Sequence, residues 1–224
     1  MKQQEFMYKL YHYSSYLNYI LWLFEVNALM LVMNAPLFIA AIGLPLSMSS
    51  LALYIVCSLP VGPVLYAGVS ALVRVKENNG VVKAFFRELK RTWFSIFKWT
   101  AVPIAAIWLI LFNLSVTSRV GSMQPLWWLN VILLAVVAAF MINVMIVLAT
   151  WHQPVKAAML LTLKLSIVKS FRYYMNLIII AGTFILLKLF PVYIILFGPA
   201  LALLLCKVNF QPVIDYVNER PENK

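Results

Sequence analysis

The stretch Leu59-Pro60-Val61-Gly62-Pro63, continued by Tyr66-Ala67-Gly68, Ser70-Ala71 and Arg74-Val75-Lys76, decides how this chain is read. Two prolines and a glycine so close together ought to end a helix, because proline lacks a backbone N–H and its ring collides with the preceding turn. Yet the residues on both sides are apolar enough to lie in a bilayer. A helix-breaking motif at that depth is tolerated only where neighbouring protein satisfies it, so the stretch marks a packed or functional place. A Gly-Pro pair recurs near the other end, at Gly198-Pro199.

The composition sets the solvent. Of 224 residues, 64% are hydrophobic and 11% charged. A soluble domain of this size cannot bury so much apolar surface, and several runs exceed the roughly 18 residues of a membrane-spanning helix. The expectation is an all-α polytopic transmembrane helix bundle, one integral membrane domain over residues 1–224, with the lipid bilayer as its first partner. Six spans are read, at about 16–42, 49–75, 93–114, 126–150, 174–187 and 192–206. Lys188 and Pro191 divide the last two; a single kinked span there, giving five in all, is the competing reading. The first span is expected to act as its own uncleaved insertion signal, because no small-residue cleavage site follows it.

The net charge is +11, but the basic residues fall between apolar runs, so they read as topogenic and no nucleic-acid partner is expected. With the N-terminus inside, sixteen of the eighteen Lys and Arg lie on the inner side, and only Arg119 and Lys188 lie outside. That bias places both termini in the cytoplasm of a cell-membrane protein. Trp93, Trp99, Trp127, Trp128 and Trp151 sit near the expected span ends, as interfacial belts require. Cys57 and Cys206 lie in apolar segments and read as small buried hydrophobes.

Three elements are able to lie at the inner face. From Val81 to Trp99, Val82, Phe85, Phe86, Leu89, Trp93, Ile96 and Phe97 form one helical stripe, with Lys83, Arg87, Glu88, Lys90 and Arg91 largely off it. This is a basic amphipathic helix that runs into the third span. Pro154 to Arg172 and Phe6 to Phe24 are similar. Anchoring to the membrane surface and docking of a partner, through Phe85, Phe86, Arg87, Lys90 and Arg91, are both open readings.

Catalytic chemistry is sparse. Of the seven acidic residues, only Glu25 falls in an expected span. An intramembrane carboxylate is a functional candidate by default; the alternative sets the true start of the span at Val26 and Glu25 at the interface. Asn27 and Asn34, two turns apart, and Asn143 and Asn176 further on, read as packing residues able to hydrogen-bond between helices. Ala67 and Ala71, with Gly68 and Ser70, form a small-residue face that permits close helix approach. His12 and His152 are far apart. No metal spacing, phosphate loop or nucleophile elbow occurs, so no cofactor, metal or enzymatic activity is expected.

The order of these features resembles the YesL-like family of small bacterial membrane proteins. The residues that carry it are Val26-Asn27, Leu59-Pro60 with Gly62-Pro63, Tyr66 and Ala71, the Arg74-Val75-Lys76 exit, Phe85-Phe86, Lys90-Arg91, and the late Pro191 and Gly198. The chain departs from the pattern in a longer stretch between Asn27 and Leu59. The resemblance implies an accessory role beside carbohydrate ABC importers, with permease subunits or a second copy of the chain as partners, and it carries over no catalytic or ligand residue. Two other functions stay open. One is a small-solute transporter or channel built on Pro60, Gly62, Pro63 and Tyr66 with their echo at Pro191, Gly198 and Pro199, since paired broken spans build midplane sites. The other is a regulator acting through the basic inner loops. In each, the Leu59–Pro63 break is expected to act as a hinge or re-entry point that sets the second span and presents the helix from Val81.

Overall fold

The computed structural model describes residues 2–73, 80–120 and 123–219. Among them the protein is all helix: α1 Lys2–Met33, α2 Ala35–Gly43, α3 Met48–Ser58, α4 Val61–Val73, α5 Val81–Thr117, α6 Gln124–Trp151, α7 Val155–Val168, α8 Ser170–Leu189 and α9 Pro191–Glu219. Four stretches are long and apolar enough to cross a membrane: Met48–Val73, α5, α6 and Phe197–Glu219. The pair Asn18–Met33 and Ala35–Gly43, bent by 62°, makes a fifth if it is counted as one broken span. This is the pattern of a membrane-embedded helix bundle. The sixth expected crossing rests on α8, which is 20 residues long.

The sharp bend lies in the first span, where a continuous helix from 16 to 42 was expected. Pro36 is the cause. It has no N–H to give back to the Val32 carbonyl, so the α1 ladder stops there. The turn is closed by Asn34, whose backbone N–H and side-chain Nδ2 both donate to the Met30 carbonyl, at 3.1 and 2.8 Å. Pro36 then falls in the first turn of α2, where an N–H would have no helical partner. A Ser47–Ser50 capping box starts α3. The Tyr54 hydroxyl reaches back to donate to the Leu44 carbonyl at 2.6 Å, which ties α3 to the end of α2.

The Leu59–Pro63 stretch corrects the expectation of a re-entry point, because α3 and α4 read on as one candidate span of 26 residues. Leu59 keeps helical dihedrals (φ −55°, ψ −36°), and the Val64 N–H bonds to the Pro60 carbonyl at 3.0 Å. Pro60 and Pro63 both stand at the start of α4, where the first N–H groups of a helix are unpaired in any case. Neither proline therefore costs α4 a backbone bond of its own. The later motif divides: Pro191 opens α9, whereas Pro199 lies inside it, so Gly198-Pro199 is not a break. Helix α9 also continues past Cys206, the expected end of the last span, to Glu219.

Helix α4 is the centre of the bundle. Nine of its residues are buried, including Tyr66, Ala67, Gly68, Ser70 and Ala71, and it packs against α1, α5, α6 and α9. Its small residues make this possible. A Cβ on Gly62 would stand 2.6 Å from Thr100 Cβ on α5, and one on Gly68 would stand 2.9 Å from Met30 Sδ on α1. Glycines on α4 thus admit two partner helices, Gly62 facing α5 and Gly68 facing α1.

Candidate functional site

The two proline-marked segments, distant in sequence, meet in space. Val61 and Leu65 of α4 and Pro199 and Leu203 of α9 line one cavity of about 360 Å³, closed by α5 and α6 through Ile104, Met141 and Met145. Pro60, Gly62 and Pro63 are not among its lining residues; Gly62 brings α4 against Thr100 of α5, and Ser58 accepts a 2.8 Å hydrogen bond from Trp108 Nε1. Gly198 is buried beside Pro199. Tyr66 is buried one turn nearer the basic end and borders a different recess, of about 260 Å³, with Arg91, Thr92, Ser95, His152 and Gln153.

The intramembrane polar candidates do not gather at this cavity. Glu25 is half-buried on α1 and Asn27 fully buried. Asn34 is buried too, but its amide serves its own helix at the bend instead of reaching another. The polar cluster that does form joins α6, α8 and α9. Asn209 Nδ2 donates to Asn176 Oδ1 at 2.8 Å, and Asn176 Nδ2 donates to Asn143 Oδ1 at 2.7 Å. Asn143 Nδ2 ends the chain on the Ala139 carbonyl at 2.7 Å. At its outer end Asn209 also donates to the Arg172 carbonyl at 2.8 Å. Asn209 escaped the sequence reading, which ended the helix at Cys206. The signal was present in Cys206, Phe210, Val213 and Val217, an apolar series at helical spacing that continues the buried face.

The basic end is built from the first half of α5, from α7 and from the facing ends of α6, α8 and α9. Helix α5 is 37 residues long, about 55 Å at the usual helical rise, against a hydrocarbon core of about 30 Å. Some of its length must lie outside that core, and Lys83, Arg87, Glu88, Lys90 and Arg91 mark the first turns as that part. The expected stripe is rotated. The buried face is Val81, Ala84, Phe85, Glu88, Leu89 and Ile96, while Val82 and Phe86 are exposed. Of the docking candidates, Phe85 is a core residue and is closed to a partner. Phe86 (47% exposed), Arg87, Lys90 and Arg91 face outward, joined by Phe94 at 74%, which the stripe had omitted although it lies two turns from Phe86.

What turns the helix is Glu88, a carboxylate only 1% exposed. It accepts a 2.6 Å hydrogen bond from Arg91 Nη2, with Arg87 Nε 3.9 Å away. A charged partner is what makes a buried carboxylate tolerable. Treating all charges as outward-facing put Glu88 on the wrong side. Among the described residues, no three of His, Cys, Asp and Glu come together as a metal site would need.

Comparison with protein families, with curated proteins and with solved structures returned no match. The likeness to the YesL-like family rests on the residues quoted for it.

Proposed function

We propose that this chain is an accessory, non-catalytic protein of the cell membrane that docks a partner membrane protein through the outward face of α5. One observation carries the reading. The part of α5 that stands clear of the hydrocarbon core presents Val82 and Phe86 among Lys83, Arg87 and Lys90, an apolar-basic face turned away from the bundle. Such a face fits a membrane protein's acidic or mixed cytoplasmic loops, in the way interfaces pair aromatic anchors with a charged rim. The resemblance drawn from the sequence names the partner class: permease subunits of a carbohydrate ABC importer. The same reading has six crossings and both termini in the cytoplasm. Purification in mild detergent at native expression, followed by mass spectrometry, is expected to recover permease subunits. Charge reversal at Lys83 and Lys90 is expected to release them without loss of membrane insertion. Recovery of the protein alone would overturn the proposal.

The solute-path reading draws on the meeting of Val61 and Pro199 at one cavity. Among the described residues its lining is apolar but for the Thr183 hydroxyl, one group where an ion or a sugar needs several. Liposomes holding the protein are accordingly expected to show no sugar or ion flux, and measurable flux would restore that reading.

A further inference from the structure

The cavity between α4, α5, α6 and α9 has a definite floor and mouth. Met145, Ile104 and Met141 are nearly closed to solvent, whereas Phe38 of α2 is 45% exposed at its edge. Leu31 and Phe38, on either side of the 62° bend, both line it, so the kink at Asn34 forms one side of the opening. Met141 lies about 15 Å along α6 from Trp151 at the usual rise. That is close to the middle of a hydrocarbon core of about 30 Å.

Three occupants can be weighed. Water is one. A stable buried water takes two to four polar partners, and an engineered apolar cavity of about 150 Å³ stays dry. Here the volume is about 360 Å³, and among the described residues Thr183 is the one polar side chain on the wall; its hydroxyl donates to the Ile179 carbonyl at 2.9 Å. Vacuum is the second, and it runs against the close packing of protein interiors, where voids much larger than a water molecule are few. Hydrocarbon is the third. In a bilayer it is the solvent itself, abundant at the depth of this cavity and matched to its walls. Met141 and Met145 give the floor an unbranched, adaptable surface that conforms to a flexible guest.

We infer that the cavity holds one acyl chain of a membrane lipid, which enters past Phe38 at the bend and ends against Met141 and Met145. The inference rests on the membrane reading of the fold and not on any partner protein. A lipid chain here fills the space between the first span and the α8–α9 hairpin, and makes the packing of α4 sensitive to the lipid supplied.

The test uses the full chain in nanodiscs of phosphatidylethanolamine and phosphatidylglycerol doped with a phospholipid that carries a diazirine near the end of one acyl chain. After irradiation and digestion, adducts are expected to concentrate several-fold on Met141 and Met145 over Ile132 and Leu133, which face outward on the same helix. Filling the cavity with Ala138→Phe or Ala202→Leu is expected to remove the Met141 and Met145 adducts and leave those at Ile132 and Leu133. Labelling no greater at the methionines than at Ile132 and Leu133 overturns the inference, and so does labelling that survives in a folded, filled variant. If neither variant folds, the wild-type map decides alone. None of these outcomes depends on whether permease subunits co-purify.

Discussion

At Gly62 a hydrogen atom is all the space allows. A methyl group there would meet the whole Thr100 side chain, with Thr100 Cβ itself 2.6 Å away. Gly62→Ala is therefore expected to lower stability by about 1–3 kcal/mol through overpacking. The rescue pattern is specific: Thr100→Ala should restore little, because its Cβ remains, whereas Thr100→Gly should restore most of the loss. Thermal unfolding in detergent of the single and double variants checks this, and full rescue by Thr100→Ala would show that the hydroxyl rather than the backbone spacing sets the contact. Glu88 supports a second prediction. Arg91→Ala removes a charge-assisted donor from a buried carboxylate, a loss of about 1.5–3 kcal/mol. Glu88→Gln keeps the shape and removes the buried charge, so it should cost less; the same melts compare them, and the reverse order would mean that the carboxylate holds more than Arg91. Both residues show why sequence reasoning went only part of the way. The Pro-Gly pattern named Gly62 as a special place, since few residues fit a close helix crossing. Glu88 stayed hidden because burial of a charge depends on which neighbours pack around it, and local spacing does not contain that.

The helices show the same division between local and long-range causes. Apolar runs and prolines placed the boundaries of α6 and the division between α8 and α9 close to where they lie, because both depend on local backbone chemistry. The severity of each proline was not legible. Pro36 bends its span by 62°, while Pro60 and Pro63 coincide with a helix start and Pro199 is absorbed within α9. The difference lies in which N–H groups were needed, and that follows from where the helix starts rather than from the proline. The asparagine chain through α6, α8 and α9 links elements distant in sequence. Hydrogen bonds between membrane helices average about 0.6 kcal/mol and reach about 1.7. Asn176 makes two of them, one as donor and one as acceptor, so Asn176→Leu is expected to lower stability by about 1–3 kcal/mol. Asn143→Leu combined with it should add less than its separate effect, because the bond they share is lost once. A double-variant cycle by thermal melting measures this, and strict additivity would mean that the two amides act independently.

The fate of the whole bundle turns on α8. Its 20 residues reach about 30 Å at the usual helical rise, the thickness of the hydrocarbon core. The hydrogen bonds fix its direction against α9: Asn209 meets Arg172 at one end, and both Asn209 and Cys206 reach Asn176 one turn further in. The two helices thus run antiparallel, with the turn at Phe190 remote from Arg172. Trp151 Nε1 donates to Asn218 at 3.0 Å, and the Lys169 ammonium lies 4.4 Å from the centre of the Tyr216 ring. These contacts gather the ends of α6, α7 and α9 on the side that holds most of the basic residues. In the proposed topology the positive-inside bias puts that side in the cytoplasm. It follows that Phe190 should emerge on the opposite face, together with the turn at Ser118. The check is single-cysteine labelling with a membrane-impermeant maleimide, in a background where Cys57 and Cys206 are alanine. Ser118→Cys and Phe190→Cys should react in intact cells, and Ser170→Cys only after lysis. Reaction of Phe190→Cys with the Ser170→Cys group instead would mean that α8 and α9 turn back within the bilayer. The bundle would then have fewer than six crossings, and the C-terminal part of α9 would have to be placed again.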